Sequence, residues 1–253
     1  MNPTGPTSAS SSTPPPLPTP SSDSSNPEPL TGTGSIIEAL LRRPAAVLHH
    51  FHHHPGGGRL AGVLILASLL AAAAYGVIVG SFSGGMQLWA APLKIAGGLL
   101  LCGLICLPSL YVFACLSGSS AGFLDVFGMI AGLLALMTLL LVSFSPVAWV
   151  FSQSTVSVGV MGTLHLAFWI VATYFGARFM YRGMVRLGAR GEGAFYFWIS
   201  LFVVVSLQMT TALRPLVGTA PTLLPVEKRF FLQHWLEQVR DTPKDVQREQ
   251  RAP

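Results

Sequence analysis

The chain has 253 residues, of which 51% are hydrophobic and only 10% charged, too little charge to coat one soluble globule of this length. Its formal net charge is +5, but the charges crowd into the two ends and a few connections; between Arg59 and Arg214 the only acids are Asp125 and Glu192. That distribution excludes the continuous basic face of a nucleic-acid binder and leaves cations bordering apolar runs, as membrane anchors do.

Residues 1–34 contain 23 Ser, Thr or Pro and two charges, Asp23 and Glu28. They lack the apolar surface that offsets the entropy of folding, so a disordered tail is expected. No basic start leads into an apolar core there, so the segment does not read as a secretory signal. Within 35–58, Ile36, Ile37, Leu40, Leu41, Val47, Leu48 and Phe51 recur at helical spacing around Arg42 and Arg43. The stretch is too short and polar to span. It predicts an amphipathic juxtamembrane helix with its arginines near anionic headgroups, bent or split at Pro44. His49, His50, His52, His53 and His54 precede Pro55-Gly56-Gly57-Gly58. The pairs His49/His53 and His50/His54 have the i, i+4 spacing that holds zinc, nickel or copper on a helix. Protonated, the same run is a pH-sensitive clamp on acidic lipid; a low-complexity tract without a role is the plain alternative.

Five apolar runs follow, at 60–80, 95–116, 121–143, 156–177 and 194–213, each near the roughly twenty residues a helix needs to cross the hydrocarbon core. They lack the alternation of barrel strands, so residues 59–218 predict an all-α, polytopic transmembrane bundle of about five spans flanked by amphipathic helices. Arg42, Arg43 and Arg59 precede the first run, and Arg178, Arg182, Arg186 and Arg190 follow the fourth. Four crossings separate the two groups, so both fall on the cytoplasmic side of a cell inner (plasma) membrane, and the fifth run takes the C-terminus out. The four later arginines repeat every fourth residue and predict one headgroup-facing side of a helix leaving the membrane. Lys94 and Arg214 fall on the outer side. Trp89 and Trp149 mark the outer interface, Tyr181, Tyr196 and Trp198 the inner one, and Trp169 lies mid-span. In 219–253, Phe231, Leu232, Trp235, Leu236 and Val239 form a second amphipathic side before a charged end expected to fray.

Ser68, Ala72, Gly76, Gly80 and Gly84 form a small-residue ladder, echoed by Gly128 and Gly132. Such ladders let helices touch closely, either inside one bundle or between two copies. Asp125 stands about one turn into the third run and Arg178 ends the fourth at the same depth, so a pair between them is expected, with protonation of Asp125 as the alternative. His165, mid-way along the fourth run, and Gln208, in the outer half of the fifth, need hydrogen-bond partners inside the bundle, as interhelical glue or as a polar pocket. Cys102, Cys106 and Cys115 share one apolar run without a His, Asp or Glu, and read as small hydrophobes. No nucleophile elbow, zinc helix, phosphate loop or carboxylate pair is present, so no enzyme site and no cofactor are expected.

The plan of a tail, an amphipathic lead-in, five spans and a short outer C-terminus resembles the Yip (Ypt-interacting protein) family. Local wording resembles its uncharacterised bacterial branch, in Ala91-Pro92-Leu93-Lys94, in Pro108-Ser109-Leu110-Tyr111, and in Gln208-Met209 running on to Leu213-Arg214-Pro215-Leu216-Val217-Gly218. The likeness covers about residues 35–239 and carries no catalytic residue across; its eukaryotic members are linked to membrane traffic and organelle shape. It implies a non-enzymatic protein that organises membrane or protein partners, with the lipid bilayer and anionic headgroups as surroundings and a homo-oligomer or a second membrane protein as partner. The rival is a small-solute or ion transporter or channel, which requires a hydrated cavity with polar groups at mid-depth.

Overall fold

The computed structural model describes residues 32–53, 56–83, 85, 87–154, 158–190 and 192–212, all within the unit that begins at Thr31. The lead-in is two helices, α1 (Thr33–Arg42) and α2 (Pro44–His53). At the start of α1 the Gly32 N–H donates to Ser35 Oγ at 3.2 Å. Pro44 breaks the lead-in because a proline cannot donate to the preceding turn, yet it suits the first position of a new helix, where the N–H has no intrahelical partner. Helix α1 buries Ile36, Ala39 and Leu40 and exposes Leu41 and Arg42, so the amphipathic pattern becomes a docked face and a free one.

Four helices are long and apolar enough to cross a membrane: α3 (Gly57–Ser83), α4 (Gln87–Leu116), α5 (Phe123–Ser154) and α6 (Val158–Arg186). A fifth, α7 (Glu192–Ala212), has a shorter apolar part, Gly193–Met209. At 1.5 Å per residue α7 still reaches about 31 Å, close to the thickness of the hydrocarbon core. No strand occurs among the described residues. The protein is thus membrane-embedded and all-α.

The helices outrun the apolar runs that announce them. Helix α4 begins at Gln87 rather than near 95, α5 continues past Pro146 to Ser154, and α6 continues to Arg186 rather than stopping near 177. Hydropathy marks only the part of a helix facing hydrocarbon, whereas hydrogen bonding carries it on into the headgroup layer. Lys94 is therefore not a cation in a connection: it lies inside α4, only 4% exposed. The prolines within α4 and α5 are of the kind membrane helices tolerate.

Helix α5 is the centre, packed by α3 on one side and α6 on another, with α3 also against α4 and α4 against α7. Small residues make these contacts close. Ser68, Ala72, Gly76 and Gly80 are buried along α3, and a Cβ on Gly76 would overlap the backbone of Pro92 in α4. In α5, a Cβ on Gly132 would come within 2.6 Å of the Phe179 ring of α6, and one on Gly128 within 2.5 Å of the Phe51 ring of α2. These small positions lie at contacts inside one chain. Gly84 lies outside the described residues.

The hairpin α4–α5 and the hairpin α6–α7 are joined by a matched pair of turns. Two residues past the end of α4 stands Gly118 with φ 72°, and two past the end of α6 stands Gly188 with φ 78°, the left-handed conformation that favours glycine after a helix C-terminus. Ser119 N–H donates to Ala114 O and Ala189 N–H to Met184 O, both at 3.1 Å, the same cap in each case. The turns then bond each other reciprocally, Ser120 N–H to Leu187 O at 2.9 Å and Arg190 N–H to Ser117 O at 2.8 Å. Each position of one turn matches the position 70 later in the other (117 with 187, 120 with 190), a local two-fold relation under which the α4/α7 contact corresponds to α6/α5. Helix α3 breaks it, packing on the first hairpin.

Candidate functional site

The polar side chains gather in two places. The first is the end of the bundle where α3 and α5 begin and α6 ends, which α1 and α2 cover. Leu48 of α2 faces Gly183 of α6, Phe51 faces Gly128 of α5, and Arg186 Nη1 donates to Ala45 O of α2 at 2.8 Å. Beneath α2 lies a cavity of about 410 Å³, lined by Leu48, His49, Phe51, Asp125, Met129, Gly183, Arg186 and Leu187. Its floor is apolar and buried, while His49 and Arg186 are exposed and Asp125 half-buried.

Asp125 is held by its own helix: Gly122 N–H donates to Asp125 Oδ2 at 2.9 Å, a carboxylate covering an orphan donor at the N-terminus of α5. The expected pair with Arg178 does not form; a close ion pair at this end joins Arg42 and Glu38 at 3.3 Å, on α1. The register explains this. Gly183 meets Met129 and Gly176 meets Leu133, so Asp125 stands level with Arg186 and Leu187 rather than with Arg178, which is more than two turns deeper. Arg178, Arg182 and Arg186 are exposed on α6, whereas Arg190 lies past the Gly188 turn and is not part of that helix. Arg42, Arg43 and Arg59 are exposed at the same end.

The second place is inside the bundle. The Tyr75 hydroxyl of α3 and His165 Nδ1 of α6 are hydrogen-bonded at 2.5 Å, their rings edge-on. One and two turns further along α6 come Trp169 and Thr173. His165 Nε2, Trp169 Nε1 and Thr173 Oγ1 are buried polar atoms with no hydrogen-bond partner in the protein. Because α6 extends to Arg186, its midpoint is near Ala172, so Thr173 rather than His165 is central and the polar stripe runs about 12 Å away from it. Gln208 does not join this group. It is exposed on α7 and so does not seek a partner in the bundle.

Trp198 departs most from its expected place at the interface. It is fully buried between α4 and α7, where Nε1 donates to Cys106 O and Ser109 Oγ, each at 3.2 Å. Its position matches Gly128 in the other hairpin, so Trp198 supplies from within α7 the ring that Phe51 brings to α5 from α2. A smaller cavity of about 280 Å³ lies beside it, lined by residues that include Phe113, Ser117, Phe195 and Trp198 and by no charged side chain. Trp89 and Trp149 are exposed. Cys102 and Cys106 are buried and Cys115 exposed, all as free thiols.

Of the histidine cluster, His49 and His50 lie on α2 and His53 ends it, while His54 lies outside the described residues, as do the tail through residue 31 and the segment 213–253. Among the described residues no group of three His, Cys, Asp or Glu is placed to hold a metal. Chemically, the covered end offers a cation, a carboxylate and an imidazole above an apolar floor, while the stripe offers donors in a dry interior. No protein-family model matches the chain, and no curated protein or solved structure matches it significantly.

Proposed function

We propose that this chain is a non-enzymatic multi-pass protein of the cell inner (plasma) membrane, Yip-like in plan, that organises lipid or protein partners at the bundle end covered by α1 and α2. One observation carries the reading: the lead-in is fixed to the bundle by Phe51 against Gly128, Leu48 against Gly183 and Arg186 on Ala45. A segment anchored at three points presents a defined surface, with Glu38, Leu41, Arg42 and Arg43 outermost. The arginines at that end support a cytoplasmic location for it, in contact with anionic headgroups. Helix α7 starts there and runs antiparallel to α4, with Phe197 beside Phe113 and Phe202 beside Cys102, which supports a fifth crossing and an extracytoplasmic C-terminus.

A photo-crosslinking side chain at Leu41 tests this in cells. Lipid or protein adducts are expected, and they should fall when Gly128→Leu displaces Phe51 and frees the lead-in. A clean Leu41 position, or adducts indifferent to Gly128→Leu, would count against it. The second reading, a small-solute or ion transporter or channel, is favoured by the His165, Trp169 and Thr173 stripe. It predicts that a cysteine at position 173 reacts with water-soluble reagents; a dry bundle leaves it inert.

A further inference from the structure

We infer that the cleft beside Trp198, between α4, α6 and α7, holds one acyl chain of a phospholipid whose phosphate rests on Arg190. This needs only the membrane setting and is independent of what meets the lead-in at α1 and α2.

The local two-fold relation shows why a cleft stands there. Where α4 meets α5, a Cβ on Gly103 would come within 2.8 Å of Leu134 and 3.3 Å of Ile130, so the glycine lets the two helices close. The matching position on α6 is Thr173, a branched residue, and the residues of α7 that match Ile130 and Leu134 are Ser200 and Val204, both exposed. Helix α6 accordingly scarcely touches α7, and the Tyr181 and Phe195 rings bridge the two, 5.4 Å apart.

The cleft that remains, about 280 Å³, carries no charged side chain. Two of its polar walls are already satisfied: Trp198 spends its N–H on Cys106 and Ser109, and Ser117 Oγ donates to Ala114 O at 2.9 Å. An unfilled space forfeits dispersion contacts on every wall, and hydrocarbon restores them without a hydrogen bond. The dimensions decide between occupants. From Ser117 to Leu110 the cleft follows α4 for about 10 Å, so its cross-section is roughly 30 Å², whereas a helix about 10 Å across needs roughly 80 Å². It admits one chain and not a helix of a second copy. Val185, on the α6 side, is exposed, which opens the cleft to the bilayer. At the turn end the Arg190 N–H is fixed to Ser117 O at 2.8 Å while the side chain is exposed, so a guanidinium stands where a phosphate would cap the chain.

The test is fluorescence of the full-length chain in detergent with Trp198 as its sole tryptophan (Trp89→Phe, Trp149→Phe, Trp169→Phe and Trp235→Phe). It is titrated with phosphatidylcholine brominated either at the sixth and seventh or at the eleventh and twelfth acyl carbons. Quenching is expected to saturate at one lipid per chain and to be at least twofold stronger from the sixth and seventh carbons, which lie beside Trp198. Arg190→Gln should raise the lipid concentration required roughly fivefold, as loss of an exposed charge pair does, and Ala194→Leu, which puts a side chain into the cleft, at least tenfold. Quenching that rises without saturating, or equally from both positions, overturns the assignment. A brominated fatty acid should act only at roughly fivefold higher concentration; equal action, with Arg190→Gln silent, overturns the phospholipid as occupant. Native mass spectrometry of the wild-type protein needs no variant to fold: it should show one phospholipid retained per chain, and a lipid-free monomer or dimer overturns the inference.

Discussion

The two sides of the paired turns solve one packing problem in different ways. Between α4 and α7 the space is filled from within by Trp198, which also satisfies its indole N–H on Cys106 and Ser109. Between α5 and α6 the matching position is Gly128, and the ring comes from Phe51 on α2. The first solution is permanent, because α7 cannot withdraw Trp198 without leaving α4. The second depends on a ten-residue helix outside the five long ones. Charge follows the same division: His49, Asp125 and Arg186 surround the imported ring, and no charged side chain lines the cavity beside the built-in one.

The largest effect that this contrast predicts is from Trp198→Ala, which should cost about 3–5 kcal/mol, as truncation of a buried core aromatic does. Unfolding of the purified protein in detergent measures it. Phe51→Ala should cost the bundle much less, while hydrogen exchange of α2 rises to that of a free segment; an equal loss from both variants would make the lead-in an integral part of the core. Gly118→Ala and Gly188→Ala should each cost about 1 kcal/mol, because both force a side chain into left-handed backbone. Near-equal values would support the matched turns, and a cost at one position alone would break the two-fold relation. Smallest is Tyr75→Phe, expected near 0.6 kcal/mol, typical of a single interhelical hydrogen bond in a membrane, and equal whether α2 is docked or not.

Much of the helix inventory is legible in the sequence because hydropathy is a local property. The five apolar runs each correspond to one helix, with ends that overshoot by at most two residues, and Pro44 marks the break in the lead-in. Relations between helices are less legible. The Asp125–Arg178 pair fails by more than two turns because α6 outlasts its apolar run, and that length places Arg186 level with Asp125 instead. Trp198 has the composition of an interface residue, and only the proximity of Cys106 and Ser109 shows why it is buried. The matched hairpins leave few marks in the sequence: Tyr111 with Tyr181, Gly118 with Gly188 and Phe127 with Phe197 share a spacing of 70 positions, amid residues that differ. Tyr75 and Thr173 have no sequence signal of their own, since isolated polar residues in apolar runs acquire meaning only from what faces them.

The most direct test of the membrane arrangement is cysteine accessibility in intact cells, with single cysteines at Ser25 and Thr242 in a chain lacking Cys102, Cys106 and Cys115. An impermeant thiol reagent should label position 242 from outside and leave position 25 untouched, as five crossings with a cytoplasmic lead-in require. Equal labelling of the two positions would put both ends on one side, contradict a full crossing by α7, and make a broken helix lining a transport path the better reading.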